Sequence, residues 1–327
     1  MPGSDIGIDL GTRNSLVYST TKGLLLTEPS VVVYDKNTEK IRAIGEEARS
    51  LAGKQSSNIE MIWPIRQGVI VDYEILEKML KHFISKAMGR RAFLKPRITV
   101  CVPSGTTEIE GKALEEAIYQ SGARMVYLAR GPVASAIGAG LDITKPFGNM
   151  VVDIGGGSTD VAVLSVGGIV VQNTIKVAGD NFSRAIMNYI REKHSIFISE
   201  DMAEEIKLKI GTVVEEAFPK TMEVRGRNVN TGLPKMTALS SEEVREALRD
   251  TTGQVMECIH GVLEKTPPEL AADIVDRGIL LTGGGALLKG MDVLVEEKTD
   301  IHAVIVRDAL TVTVTGTGKY ADVMARM

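Results

Sequence analysis

Met150-Val151-Val152-Asp153-Ile154-Gly155-Gly156-Gly157-Ser158-Thr159-Asp160 runs directly into Val161-Ala162-Val163-Leu164-Ser165-Val166. The stretch reads as an apolar strand, a turn of three glycines and two hydroxyl residues, and a second apolar strand. Glycine reaches backbone angles closed to other residues and has no Cβ, so such a turn can bring its N–H groups close to an anion. Asp153 falls at the end of the first strand, where a carboxylate can hold the waters of a hard cation such as Mg²⁺. Tight hairpins use the same residues for purely structural reasons, so one turn of this kind decides little.

A second copy lies near the start of the chain. Asp5-Ile6-Gly7-Ile8-Asp9-Leu10-Gly11-Thr12-Arg13-Asn14-Ser15-Leu16-Val17-Tyr18 is again strand, glycine turn, strand. Asp9 and Gly11 stand to this hairpin as Asp153 and Gly155 stand to the later one, at a separation of 153 − 9 = 144 residues. That is close to half of the 327 residues and implies two related lobes. Two hairpins of this kind, each preceded by an aspartate, would clamp a polyphosphate and its metal from both sides. A third glycine turn, Ile279-Leu280-Leu281-Thr282-Gly283-Gly284-Gly285-Ala286, reads as strand into turn into helix, whose N-terminus would expose N–H groups to a ligand. None of the three matches GxxxxGK[ST] or GxGxxG, which argues against a P-loop or dinucleotide site. Three turns at the carboxyl ends of apolar strands predict a nucleotide in a crevice between lobes.

The rest of the chain predicts an α/β architecture. From Leu24 to Ala48 short β segments alternate with turn residues, ending in a short helix near 46–51. Tyr73 to Met88 carries Leu76, Met79, Leu80, Phe83, Ile84 and Ala87 at the spacing of one helix face. A strand over 98–102, a helix over 107–121, a strand over 125–128 and a helix opened by Gly131-Pro132 follow. Residues 145–149 form the boundary between lobes. Beyond the central hairpin, helices are expected over 181–193 and 199–211. A β-like, turn-rich stretch covers 215–239, and Ser240-Ser241-Glu242-Glu243 looks like a helix start.

Composition excludes several classes. Hydrophobic content of 44% with 24% charged residues describes a soluble globular protein. A formal charge of −4 without a dominant basic stripe gives no reason to expect nucleic acid. Cys101 and Cys258 fall in apolar surroundings without CxxC spacing and read as core residues of a reducing compartment. The chain enters a strand within about five residues, leaving no room for a signal peptide, and it contains no run of 18 apolar residues. A cytosolic location is expected. His82, His194, His260 and His302 show no ligand spacing.

Gly7-Ile8-Asp9-Leu10-Gly11-Thr12, Val152 to Thr159 and Leu281 to Ala286 resemble the phosphate-1, phosphate-2 and adenosine motifs of the actin/Hsp70/sugar-kinase superfamily. Within it the chain resembles the MreB-type bacterial actins. Trp63-Pro64, Gly68 to Asp72, Ala178-Gly179-Asp180-Asn181, Ala203-Glu204-Glu205-Ile206-Lys207 and Thr315-Gly316-Thr317-Gly318-Lys319 carry that closer likeness, which covers essentially the whole chain. It implies an actin-like (ribonuclease-H-like) ATPase fold, with two related lobes around a nucleotide cleft and a smaller subdomain on each. Lobe I would comprise 1–147 plus 311–327 and lobe II 148–310, with a subdomain near 181–245.

The resemblance also implies residue roles. Gly11, Thr12, Arg13 and Asn14, with Gly155, Gly156, Gly157 and Ser158, would cradle the β- and γ-phosphates of ATP or ADP. Asp9 and Asp153 would bind Mg²⁺ through water. Glu204 and Lys207, one helical turn apart, would contact ribose and adenine, with Gly283, Gly284, Gly285 and Ala286 at the adenosine. On spacing alone Glu204 belongs to a solvated acidic face. One departure stands out: relatives carry two glutamates where this chain has Arg130-Gly131 before Pro132, and the second positions the attacking water. Gly131 has no side chain for that task and Arg130 cannot act as a base. ATP binding with hydrolysis about 10²–10³-fold slower than in relatives is the expectation, unless Thr159 or Asp160 substitutes.

Head-to-tail filaments of the chain with itself, at the inner face of the cell membrane and serving the cell-wall elongation machinery, are the implied function. Phe93 and Leu94, flanked by Arg90, Arg91, Lys95 and Arg97, either tuck under their loop or insert into an anionic membrane surface. Two other readings stay open: a sugar-kinase-like enzyme, for which no substrate acid or base is identifiable, and a non-polymerising regulator or chaperone-like ATPase.

Overall fold

Two five-stranded sheets share one strand order. A computed structural model describes residues 5–52, 58–89, 95–102 and 106–326. In the first sheet the order is Met125–Arg130, Arg97–Val102, Ile6–Leu10, Asn14–Ser19, Gly23–Pro29. In the second it is Ala303–Ile305, Ile279–Thr282, Asn149–Ile154, Thr159–Ser165, Gly168–Ile175. Each central strand, Ile6–Leu10 or Asn149–Ile154, starts a glycine hairpin on one side and pairs in parallel with a later strand on the other. The 144-residue repeat of the sequence is therefore a repeat of topology.

The described chain divides into two units. One comprises Met1–Phe147, Leu164–Val170 and Leu310–Met327; the other comprises Gly148–Val163 and Val171–Ala309. The turn between the strands Thr159–Ser165 and Gly168–Ile175 thus groups with the first unit, while the glycine turn Gly155–Ser158 belongs to the second.

In the first unit, Tyr73–Met88 is helical as its periodicity predicts, with Leu76, Met79, Leu80 and Phe83 buried and Asp72 accepting the Ile75 N–H at the start. Thr107 and Glu110 cap Glu108–Gln120 reciprocally, satisfying two N–H groups that a helix start leaves unpaired. A smaller sheet of Lys40–Ile44, Val32–Asp35 and Ile59–Ile62 has its own core of Val31, Val33, Ala43 and Ala48, against which Trp63 packs.

Val312–Met324, rich in threonine, valine and glycine, is a helix although its residues favour strands and turns. Packing overrides propensity here. A Cβ on Gly316 would fall 1.7 Å from the Ala134 carbonyl oxygen, and one on Gly138 would fall 1.9 Å from that of Val312. Glycine at both positions lets this helix touch Gly131–Gly138 backbone to backbone, and a buried Ser135–Thr313 hydroxyl contact of 2.9 Å lies in the same interface. Arg97 fastens the far end, bonding to Asp5 and, at 2.7 Å, to Asp322.

In the second unit the core gathers Val152, Ile154, Val161, Val163, Phe182, Ile186 and Ile259. The expected helices are Gly179–His194, Glu200–Ile210 and Ser241–Leu263, the last with a Ser240–Glu243 capping box. The β-like stretch forms the hairpin Thr221–Asn228 and Pro234–Ser240. One expectation is corrected. The third glycine turn opens only a four-residue 3-10 turn, Gly284–Leu287, and the α-helix starts later, at Met291. So short a turn has little dipole, and its contribution to binding rests on shape instead.

Candidate functional site

The hairpin of the first unit is fixed from behind. Gly11 N–H donates to Asn14 O at 3.1 Å, while Ser30 donates its hydroxyl to Gly11 O at 2.7 Å and its N–H to Arg13 O at 2.9 Å. Thr12 Oγ1 accepts the Gly68 N–H at 3.1 Å, which joins this turn to the Ile65–Ile70 hairpin and leaves the hydroxyl proton to donate. Asp9 is half-buried on the central strand, in register with Cys101 of the neighbouring parallel strand.

The hairpin of the second unit is built alike and braced differently. Gly155 N–H donates to Ser158 O at 2.9 Å. The first two N–H groups of the helix Gly179–His194 do not point to solvent: Gly179 donates to Gly155 O at 3.1 Å and Asp180 to Gly156 O at 2.8 Å. A helix start, with its unpaired donors, thereby holds the turn in place. Asp153 is half-buried in register with Thr282 of the next parallel strand, and Gly283 follows directly. Gly283 has φ +83°, and a Cβ there would lie 2.3 Å from Ile154 O and 2.5 Å from Asp153 Oδ1. The third turn is thus stacked on the end of the strand that carries Asp153. Thr282 is fully buried, and its hydroxyl has no hydrogen-bond partner among the described residues. Gly284 is exposed, whereas Gly285 and Ala286 are buried beneath it.

Glu204 and Lys207 do lie on one face of Glu200–Ile210 and are joined at 2.7 Å. The Lys207 ammonium also donates to Gly179 O at 3.0 Å and to Ser183 Oγ at 3.1 Å, and Ser183 donates to Glu204 at 2.8 Å. Gly179, Ser183 and Gly68 were not visible as site residues in the sequence. Ala178-Gly179-Asp180-Asn181 marks the family but assigns no contact.

Thr159 and Asp160 are held within their own unit. Thr159, fully buried, donates its hydroxyl to Val177 O at 2.7 Å. Asp160 accepts from Thr174 Oγ1 at 2.7 Å and from Ser158 Oγ at 3.3 Å, and its charge, after burial, helps push the Cys258 thiol up to about 11. Thr159 and Asp160 are thus each hydrogen-bonded within the second unit. Arg130 precedes the helix Gly131–Gly138 and reaches Thr106 O at 3.4 Å, and Gly131 is buried at the first helical position. Phe93 and Leu94 lie outside the described residues.

No group of three His, Cys, Asp or Glu among the described residues could enclose a metal. Asp9 and Asp153, each a single half-buried carboxylate near the end of a central strand, are of the type that can hold the waters of a hard cation such as Mg²⁺. No helix of the described residues is long and apolar enough to cross a membrane.

Comparison with known proteins agrees across the chain. The family described as MreB/Mbl protein matches over residues 3–327. The cell shape-determining protein Mbl of Bacillus cereus (strain ATCC 10987 / NRS 248) is 50% identical over 314 residues, covering 96% of this chain and 94% of that protein. The cell shape-determining protein MreB of Escherichia coli (strain K12) is 42% identical over 327 residues, covering 98% and 94%. The crystal structure of MreB5 of Spiroplasma citri bound to AMPPNP superposes with a TM-score of 0.93 at 36% identity, covering 100% of this chain and 98% of that one.

Proposed function

The chain belongs to the MreB/Mbl family, and from that premise we propose an ATP-binding bacterial actin whose filaments direct cell shape and wall growth. One observation carries the reading: Asp9–Asn14 and Asp153–Ser158 are equivalent hairpins on identically ordered sheets, each with an aspartate at the end of the central strand. Glycine turns of this geometry present N–H groups to phosphate. MreB5 of Spiroplasma citri, of the same fold, was solved with AMPPNP and with ADP.

In this reading Gly11 to Asn14 and Gly155 to Ser158 grip the β- and γ-phosphates, and Thr12 donates its remaining hydroxyl proton to a phosphate oxygen. Asp9 and Asp153 orient the waters of Mg²⁺, which when bound neutralises phosphate charge. Gly283 to Ala286 floor the adenosine, and Glu204 takes the ribose. Hydrolysis is slow, because Gly131 supplies no carboxylate and Thr159 and Asp160 are engaged elsewhere.

Nucleotide binding favours the conformation that adds head to tail, a heterologous contact that propagates into filaments. A filament multiplies a weak membrane contact at Phe93 and Leu94 by avidity, which would place the protein at the inner membrane surface with the wall-elongation machinery. Sedimentation with and without ATP tests the reading. A protein that binds ATP and stays in the supernatant would instead be a non-polymerising regulator or chaperone-like ATPase.

A further inference from the structure

Thr212 and Lys289 stand 77 residues apart in the sequence and side by side in the second unit, paired as a short parallel bridge. Val213 donates its N–H to Lys289 O at 3.0 Å. The Thr212 side chain is buried; its hydroxyl presents one proton to Val214 O at 3.0 Å and Lys289 O at 3.4 Å, and accepts the Val214 N–H at 3.3 Å. Opening such a junction would leave buried polar groups unpaired, which costs more than losing an exposed bond. Glycine permits the close approach on both sides. A Cβ on Gly211 would fall 2.9 Å from Leu288 Cδ1, and one on Gly290, where φ is +80°, would fall 2.4 Å from Val214 Cγ2. Glu216, its side chain buried, adds an ion pair with Lys289.

Both halves of this junction lead straight from the groups assigned to the nucleoside. One continues from Glu200–Ile210, the helix that carries Glu204 and Lys207, and 212 − 207 = 5 residues separate Lys207 from Thr212. The other follows the turn Gly284–Leu287, and 289 − 286 = 3 residues separate Ala286 from Lys289. We propose that Thr212 is a positioning residue for the nucleoside. Its buried hydroxyl locks the end of the helix Glu200–Ile210 to the segment Leu288–Gly290, and so sets how far the Glu204–Lys207 face stands from the adenosine turn. The proposal deepens the nucleotide reading and rests on it for its ligand.

Linkage supplies a test that needs no variant. If a closed junction favours the nucleoside, the nucleoside must favour the closed junction by the same factor. Saturating ADP with Mg²⁺ should slow amide hydrogen exchange at Val213 about tenfold, and saturating pyrophosphate with Mg²⁺ should change it less than about twofold. Unchanged exchange with ADP, or equal slowing by pyrophosphate, would overturn the proposal. Thr212→Val keeps the shape of the side chain and removes the hydroxyl. It should weaken ADP binding about tenfold and leave pyrophosphate within about twofold, and Thr212→Ser should bring ADP back to within about twofold of wild type. ADP binding untouched by valine, equal weakening of both ligands, or a serine variant as weak as the valine one would each overturn it. Should the valine variant not fold, the exchange measurement on the wild-type chain decides. A wild-type chain that binds no ADP fails the nucleotide reading itself, and the proposal with it. A chain that binds ADP without slowing exchange at Val213 fails the proposal alone.

Discussion

Gly283 and Asp153 are fitted to one another: a Cβ on the glycine would stand 2.5 Å from the Oδ1 of the aspartate. The third turn can close over the end of the strand only because nothing projects there. Gly283→Ala must move either the carboxylate or the turn, and it also strains a backbone with φ +83°. We expect a stability loss of about 1–3 kcal/mol. We also expect the advantage that Mg²⁺ gives to ADP binding to fall about tenfold, a typical effect of disturbing an outer-sphere metal ligand. Titration of ADP with and without Mg²⁺ measures it. An alanine variant that keeps the full Mg²⁺ dependence would separate Asp153 from the metal.

Glu28 ties three elements of the first unit together. Its carboxylate accepts Lys86 Nζ at 2.5 Å and the Glu46 N–H at 2.7 Å. Burial raises its pKa, but the Lys86 hydrogen bond and charge, with the Glu46 N–H and His82, outweigh it and leave the value below the ordinary 4.5. A depressed folded-state value means that the contribution is fully present above the unfolded value and is lost as pH falls through the folded one. Lys86→Met should therefore cost about 1 kcal/mol at pH 7, modest because the lysine is half exposed. The difference from wild type should shrink as the pH falls below 4.5. Thermal melts of both proteins at neutral and acid pH report it, and a difference independent of pH would exclude the ion pair as the cause.

Gly131→Glu places a carboxylate at the first position of the helix Gly131–Gly138, where a negative charge suits the helix dipole. Single-turnover phosphate release should rise about 10²-fold, the usual worth of one base or water-positioning contact. Wild-type release already as fast as the variant's would show that another group orients the water.

Phe93→Ala with Leu94→Ala should release the protein from liposomes of anionic lipid while leaving nucleotide binding intact. Co-sedimentation with such liposomes, compared with neutral ones, measures it. Unchanged co-sedimentation would assign the apolar pair to packing under its own loop.

Much of the architecture could be read from residue order, because the informative features are local. Tyr73–Met88 follows from the spacing of Leu76, Met79, Leu80 and Phe83, and the two hairpins follow from alternating apolar runs broken by glycine. What the sequence hides is non-local. Val312–Met324 has β-branched residues and glycines that argue against a helix, and its helical state depends on Gly316 and Gly138 meeting backbone that lies far away in the chain. Likewise the three-residue spacing of Glu204 and Lys207 puts both on one face, but only the folded unit brings Gly179 and Ser183 to the ammonium. The helix expected after Gly283 fails for a local reason: Gly284 and Gly285 are poor helix formers, and the chain closes a single 3-10 turn before starting again at Met291.

The central claim is that nucleotide held by the paired hairpins drives assembly of the chain with itself. High-speed sedimentation of the purified protein with Mg²⁺ and ATP, against the same protein without nucleotide, tests it most directly. Most of the protein should pellet with ATP, and a protein carrying both Asp9→Ala and Asp153→Ala should stay in the supernatant under the same conditions. Equal amounts in the pellet with and without ATP, or pelleting of the double variant at the wild-type level, would contradict it.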